Sequence, residues 1–149
     1  MPSKIIFQIT TPEREVYSDE VDQVTLPTLD GEITILPNHL PLVSVLVAGE
    51  ARVVSGGEET LMAVSGGFIE VQPDSKVIVL ADTAERAEEL DIEKIEEAKK
   101  NAEKALEEKR DLDDESFAEA AAALERELAR LRVARKKYRG TKRINQDQS

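Results

Sequence analysis

The chain contains no cysteine and no tryptophan, a single histidine, and only five other aromatic residues (three Phe and two Tyr) among 149. Without cysteine there are no disulfides, no thiolate metal sites and no cysteine nucleophile. One histidine, His39, excludes any centre built on two or more imidazoles, including the common histidine-rich zinc sites. So few aromatics leave single-stranded nucleic acid without stacking platforms, and a formal net charge of −11 opposes binding to a phosphate backbone. No apolar run approaches the about 20 residues that a membrane-spanning helix needs. Met1-Pro2-Ser3-Lys4 leads directly into an alternating strand pattern, so no signal or transit segment is expected. His39 stands between Pro37-Asn38 and Leu40-Pro41 with no serine, cysteine or second histidine beside it, which suits a loop or a contact surface better than a catalytic group.

What is present divides sharply in two. Six of the seven glycines and all six prolines lie in residues 1–84, together with most of the Val, Ile and Thr. Beyond that point the vocabulary is Ala, Glu, Lys, Arg and Leu. The first is a strand-and-turn composition and the second a helical one, and the break falls at Asp82–Glu85. Apolar residues alternate in short runs: Ile5-Phe7-Ile9, Val24-Leu26, Ile33-Ile35, then Leu42–Val47, Ala51–Val54, Leu61–Val64, Phe68–Val71 and Val77–Leu80. Turn signals separate them, among them Leu29-Asp30-Gly31, Ser55-Gly56-Gly57 and Ser65-Gly66-Gly67. Short strands at this spacing predict an antiparallel β-sandwich or flattened barrel with an aliphatic interior over residues 1–84.

Residues 85–139 predict a helical hairpin. One stripe runs Leu90, Ile92, Ile95, Ala98, Ala102, Ala105 and Leu106; the other runs Phe117, Ala120, Ala121, Leu124, Leu128, Leu131 and Ala134. Asp113 or Asp114 can cap the second helix, and Gly140 suits its end. Residues 140–149 are polar, without period, and read as an unordered tail. The fold class is therefore β + α in two domains. Because both stripes are rich in alanine, each contact removes little apolar surface from water, and the hairpin is expected to be held modestly.

Charge is segregated as well. Residues 1–84 hold four Lys/Arg against thirteen Asp/Glu, residues 85–125 hold seven against sixteen, and residues 126–143 hold nine against Glu127 alone. An acidic chain thus concentrates its positive charge at the end of its last helix. Such a run is a solvated helix face or a docking surface for an acidic partner.

The stretch from Leu26 to Leu42, LPTLDGEITILPNHLPL, strongly resembles the signature of the epsilon subunit of F-type ATP synthase. So do Ser65–Val71, Val79–Ala87, and Ala121 to Ala134 near the C-terminus, and the likeness spans residues 4 to about 138 in order. That resemblance implies a β-sandwich with a two-helix domain, and a non-catalytic central-stalk role joining the gamma subunit to the c-subunit ring. It also implies a helical domain that can extend toward the alpha/beta hexamer and restrain ATP hydrolysis. The location it implies is peripheral, on the cytoplasmic face of a bacterial inner membrane or the stromal face of a thylakoid. By position it places Glu32, Pro37, His39, Leu40, Pro41 and Leu42 toward the ring, and Arg126, Arg130, Arg132, Arg135, Lys136 and Lys137 toward acidic hexamer surface. Two departures stand out. Thr34 occupies a usual glycine, so the strand there is expected to pair differently. Leu90-Asp91-Ile92-Glu93-Lys94-Ile95 replaces the arginine and alanine of the ATP-binding pattern found in some members, and lysine lacks arginine's planar fork. No cofactor is expected, with Leu90, Asp91 and Lys94 as the weak candidates for regulatory ATP. A free-standing ATP sensor is disfavoured by that altered motif, and a small hydrolase by the missing triad.

Overall fold

The computed structural model describes residues 3–139, and the helical assignment of its last element continues to Asp147. Eight strands come first: β1 (Ile5–Thr10), β2 (Glu15–Val21), β3 (Gln23–Thr28), β4 (Gly31–Ile35), β5 (Leu42–Val45), β6 (Gly49–Ser55), β7 (Glu58–Gln72) and β8 (Lys76–Arg86). A short 3-10 turn (Ala87–Glu89) leads to α1 (Ile92–Glu108) and α2 (Asp114–Asp147). The expected helix stop at Gly140 and the unordered tail over 140–149 fall outside the described residues.

Hydrogen bonding follows the order β2-β1-β8-β7-β6-β3-β4, with β5 added to β7. The two long strands serve both layers of the sandwich. The first half of β7 pairs with β6, from Glu58 to Val64, and its second half pairs with β5, from Phe68 to Val71. Ser65-Gly66-Gly67, which reads as a turn, is therefore a bend inside one continuous strand. Gly66 and Gly67 have φ of +61° and +117°. At Gly67 a Cβ would lie 1.9 Å from the Leu80 carbonyl oxygen, so the corner where the strand changes layers admits only glycine.

One pairing is parallel: β1 lies alongside β8, Ile6 opposite Lys76 through Thr10 opposite Leu80. Strand β2 escapes the alternation pattern because Val16 and Tyr17 are adjacent and both buried, beside a register shift in β1 between Ile9 and Thr10. Thr34 does not disturb β4, which pairs with β3 in unbroken register from Val24–Ile35 to Thr28–Gly31. Strand β8 continues to Arg86, past the compositional break at Asp82–Glu85. The core is aliphatic as expected, built on Ile5, Ile9, Leu26, Ile35, Leu46, Met62 and Ile69 around Phe7, which meets Tyr17 at 5.8 Å.

Both helices start on aspartate caps. The Asp91 carboxylate accepts from the Glu93 and Lys94 amides, and that of Asp113 accepts from the Ser116 amide at 2.7 Å. Hydrogen bonds from that amide and the Ser116 hydroxyl hold the Asp113 carboxyl below its usual range. The helices pack on each other through Ile95, Leu131 and Ala134. The second stripe is only partly right: Phe117 and Leu128 are exposed, whereas Val133, outside the stripe, is fully buried. Helix α2 buries two faces, one against α1 and one against the sandwich, so no single stripe describes it.

Candidate functional site

Two regions on the outside of the sandwich stand out, and the bend in β7 separates them. On the β6–β7 side the outer face is covered by the hairpin. Cross-strand register puts Glu50 of β6 opposite Ala63 of β7, and Ala63 opposite Glu85 of β8. A small residue thus sits between two carboxylates in one row. Val133 of α2 packs with Ala63 and Ala87, flanked by Leu61 and Leu90. On either side of it, Arg130 reaches Glu85 at 2.8 Å and Lys136 reaches Glu50 at 2.7 Å. The spacing matches: two strand intervals are about 9.6 Å, and six helical residues rise about 9 Å. Helix α2 straddles the row with an apolar knob in the middle and a cation at each end.

The electrostatics are those of a partly buried latch. Glu50 is 8% exposed and Glu127, which also bonds Arg130 at 2.8 Å, is 5% exposed. Burial of Arg130 acts to lower its pKa, but the hydrogen bond and charge of Glu85, with Glu127, outweigh it and raise it above the ordinary value. Glu50 Oε2 is buried without a well-aligned hydrogen bond, so charge more than directional bonding holds it to Lys136. Farther along, Lys137 lies 3.4 Å from Glu88. The backbone N–H of Glu88, with help from Lys137 against desolvation, holds that carboxyl below its usual range.

The six basic residues singled out from the sequence thus have different positions. Arg130, Lys136 and Lys137 face carboxylates of the sandwich and the turn after it. Arg135 meets Glu96 of α1 at 3.4 Å, and Arg126 neighbours Glu127 at 3.6 Å. Arg132 is exposed. Leu90 packs at the edge of both apolar clusters of the hairpin, the Asp91 carboxylate is used in capping, and Lys94 is exposed.

The residues read toward the ring are not gathered in one loop. Glu32 lies on β4, opposite Pro27 and one residue from the β3–β4 turn, and its carboxylate meets Arg52 at 2.6 Å. Pro37, His39, Leu40 and Pro41 lie in the β4–β5 loop at the other end of that strand, and Leu42 opens β5. Asn38, at φ +67°, donates its amide to Ser75 Oγ at 2.6 Å, and His39 Nδ1 lies 2.7 Å from the Leu40 carbonyl. The β4–β5 loop is thereby pinned to the β7–β8 turn, with Leu40 79% exposed.

The second region is bare. Val45, Phe68 and Leu80 form a row across β5, β7 and β8, and are 41%, 60% and 56% exposed. Val43, two residues before Val45 on the same strand and opposite Glu70, is also exposed. Sequence reading did not single out this face. The signal was present: Leu42–Val47, Phe68–Val71 and Val77–Leu80 are nearly continuous apolar runs, the mark of strands covered on both sides.

Comparison with known proteins decides the family. The family model described as "ATP synthase, Delta/Epsilon chain, beta-sandwich domain" matches residues 4–87, and "ATP synthase, Delta/Epsilon chain, long alpha-helix domain" matches residues 88–135. The chain belongs to the ATP synthase epsilon-chain family. Relatives named ATP synthase epsilon chain include one from Dehalococcoides mccartyi, 49% identical over 91% of this chain and 95% of its own length. Another, from Herpetosiphon aurantiacus, is 45% identical over 88% of this chain and 94% of its own length. A chain in the Euglena gracilis mitochondrial ATP synthase structure, described as OSCP/F1/c-ring, is similar with TM-score 0.72 and 28% identity, over 84% of this chain and 78% of that one. Membership in this family makes the chain a non-catalytic stalk component of a rotary ATP synthase.

Proposed function

We propose that this chain joins the gamma subunit of the stalk to the c-subunit ring, and that its hairpin is a releasable restraint on ATP hydrolysis by the alpha/beta hexamer. The observation behind the reading is the use to which α2 puts its positive charge. In the docked hairpin, Arg130 and Lys136 are spent on Glu85 and Glu50 of the chain's own sandwich. Release would free those cations, with Arg126, Arg132, Arg135 and Lys137, for an acidic hexamer surface. The docked and inhibitory states would then compete for the same side chains. The bare row Val45, Phe68 and Leu80 fits the gamma subunit, because a large apolar face of this kind marks an interface. The exposed β4–β5 loop with Leu40, or Glu32 beside the β3–β4 turn, would face the ring, on the cytoplasmic or stromal side of the membrane. Among the described residues no helix is long and apolar enough to cross a membrane, so attachment would be through the complex.

In this reading docking needs no nucleotide. The Asp91 carboxylate is occupied by the α1 amides, and Glu85 and Glu127 neutralise Arg130. Isothermal titration showing tight binding of Mg-free ATP would overturn that part.

Removing residues 90–149 tests the restraint. This cut keeps Arg86, whose guanidinium bonds the Val16 carbonyl at 2.9 Å, and Glu89, which pairs with Arg14 at 2.7 Å. The shortened chain should still bind gamma, while hydrolysis by the assembled enzyme rises. An unchanged hydrolysis rate would mean that the hairpin does not inhibit.

A further inference from the structure

The ion pair between Lys136 and Glu50 does not stand alone. Glu50 Oε1 is 3.5 Å from Arg52 Nε, two residues along the same outer face of β6. Arg52 in turn meets Glu32 of β4 at 2.6 Å. Four alternating charges therefore run from the β3–β4 end of the sandwich to the hairpin: Glu32, Arg52, Glu50, Lys136. Along this series the two end contacts are short and the middle one is long. Arg52 is drawn toward Glu32, and Glu50 is left to Lys136.

We propose that this series is a competitive relay, through which loss of Glu32 from Arg52 loosens the docked hairpin. The physical argument is one of shared partners. Glu50 is a nearly buried carboxylate whose charge must be balanced. While Glu32 holds Arg52, most of that balance falls to Lys136. A cationic side chain of a partner that captures Glu32 frees Arg52 to turn fully onto Glu50. Lys136 then contributes less to docking, and α2 leaves more readily. By reciprocity, an undocked hairpin returns Arg52 to Glu50 and leaves Glu32 more available to a cationic partner. Linking this switch to the c ring rests on the ring-facing reading of Glu32. The relay itself belongs to the isolated chain and can be tested there.

The test is amide exchange of α2 over residues 120–139 in the full chain, with the exchange of β1, β7 and β8 as a check on the fold. Glu32→Gln should raise the opening of α2 about threefold, the scale of a partly exposed ion pair. Arg52→Gln, which removes the competitor, should lower it by a similar factor. In the Arg52→Gln background, Glu32→Gln should have no effect on α2. Strand exchange unchanged in all variants would show that the sandwich is intact. An opening that ignores Glu32→Gln, or that responds equally with and without Arg52, would overturn the relay. That outcome would leave the stalk reading untouched, because it involves no partner.

Discussion

The sandwich has two outer faces that meet at the bend in β7, and they bury opposite kinds of surface. The face under the hairpin is small and charged: Ala63 between Glu50 and Glu85, matched by Val133 between Lys136 and Arg130. The bare face is large and apolar, with Phe68 and Leu80 more than half exposed. A contact of small residues and ion pairs is easily exchanged, since desolvation cancels much of the Coulombic gain. An apolar face of branched and aromatic side chains favours a lasting partner. Under the proposed function, the difference would separate a lasting seat for a partner from a releasable one for the hairpin.

The sharpest way to break the comparison is to make the bare face polar. Phe68→Ser with Leu80→Ser should weaken gamma binding about 100-fold or more, as loss of central apolar anchors does. The melting temperature of the free chain should fall only modestly, because both side chains are more than half exposed. Retained gamma binding would remove that face from the interface.

A smaller effect comes from acid. Glu88 and Glu89 titrate lower in the folded chain than in the unfolded one. For Glu88 its backbone N–H leads, opposed by desolvation and helped by Lys137; for Glu89 burial opposes, and the Arg86 amide and Arg14 outweigh it. Their contribution is therefore complete above the unfolded value of about 4.5 and fades as pH falls through the folded values. Arg130, whose pKa is raised, contributes fully below its unfolded value, so nothing is lost from it up to about pH 12. Helical circular dichroism during thermal melts should be flat across neutral pH and decline only in acid. A decline that begins near neutrality would point to other groups.

Much of this fold was legible in residue order, and the reasons for the remainder are particular. Alternation located β1, β3 and β4 because each has one face in the core. It missed β2, where Val16 and Tyr17 are consecutive and both buried. It cut β7 at Gly66-Gly67, because positive-φ glycines in a bent strand look like those of a turn. The basic end of α2 was visible as charge, but its partners were not. Glu50 and Glu85 are ordinary surface acids in sequence, and become a pair only when strand register brings them to either side of Ala63. Glu32 and His39 are close in sequence but lie toward opposite ends of β4, which no spacing rule distinguishes.

The central claim is that charge holds the hairpin on its seat, and amide exchange of the full chain with and without Arg130→Ala tests it most directly. The account predicts that α2 opens below the global unfolding free energy and opens faster in high salt. It also predicts that Arg130→Ala makes α2 open about thirtyfold more often, about 2 kcal/mol for a partly buried pair left half unpaired, while β7 and β8 stay protected. Exchange of α2 through the same opening as those strands, indifferent to salt and to Arg130, would contradict it.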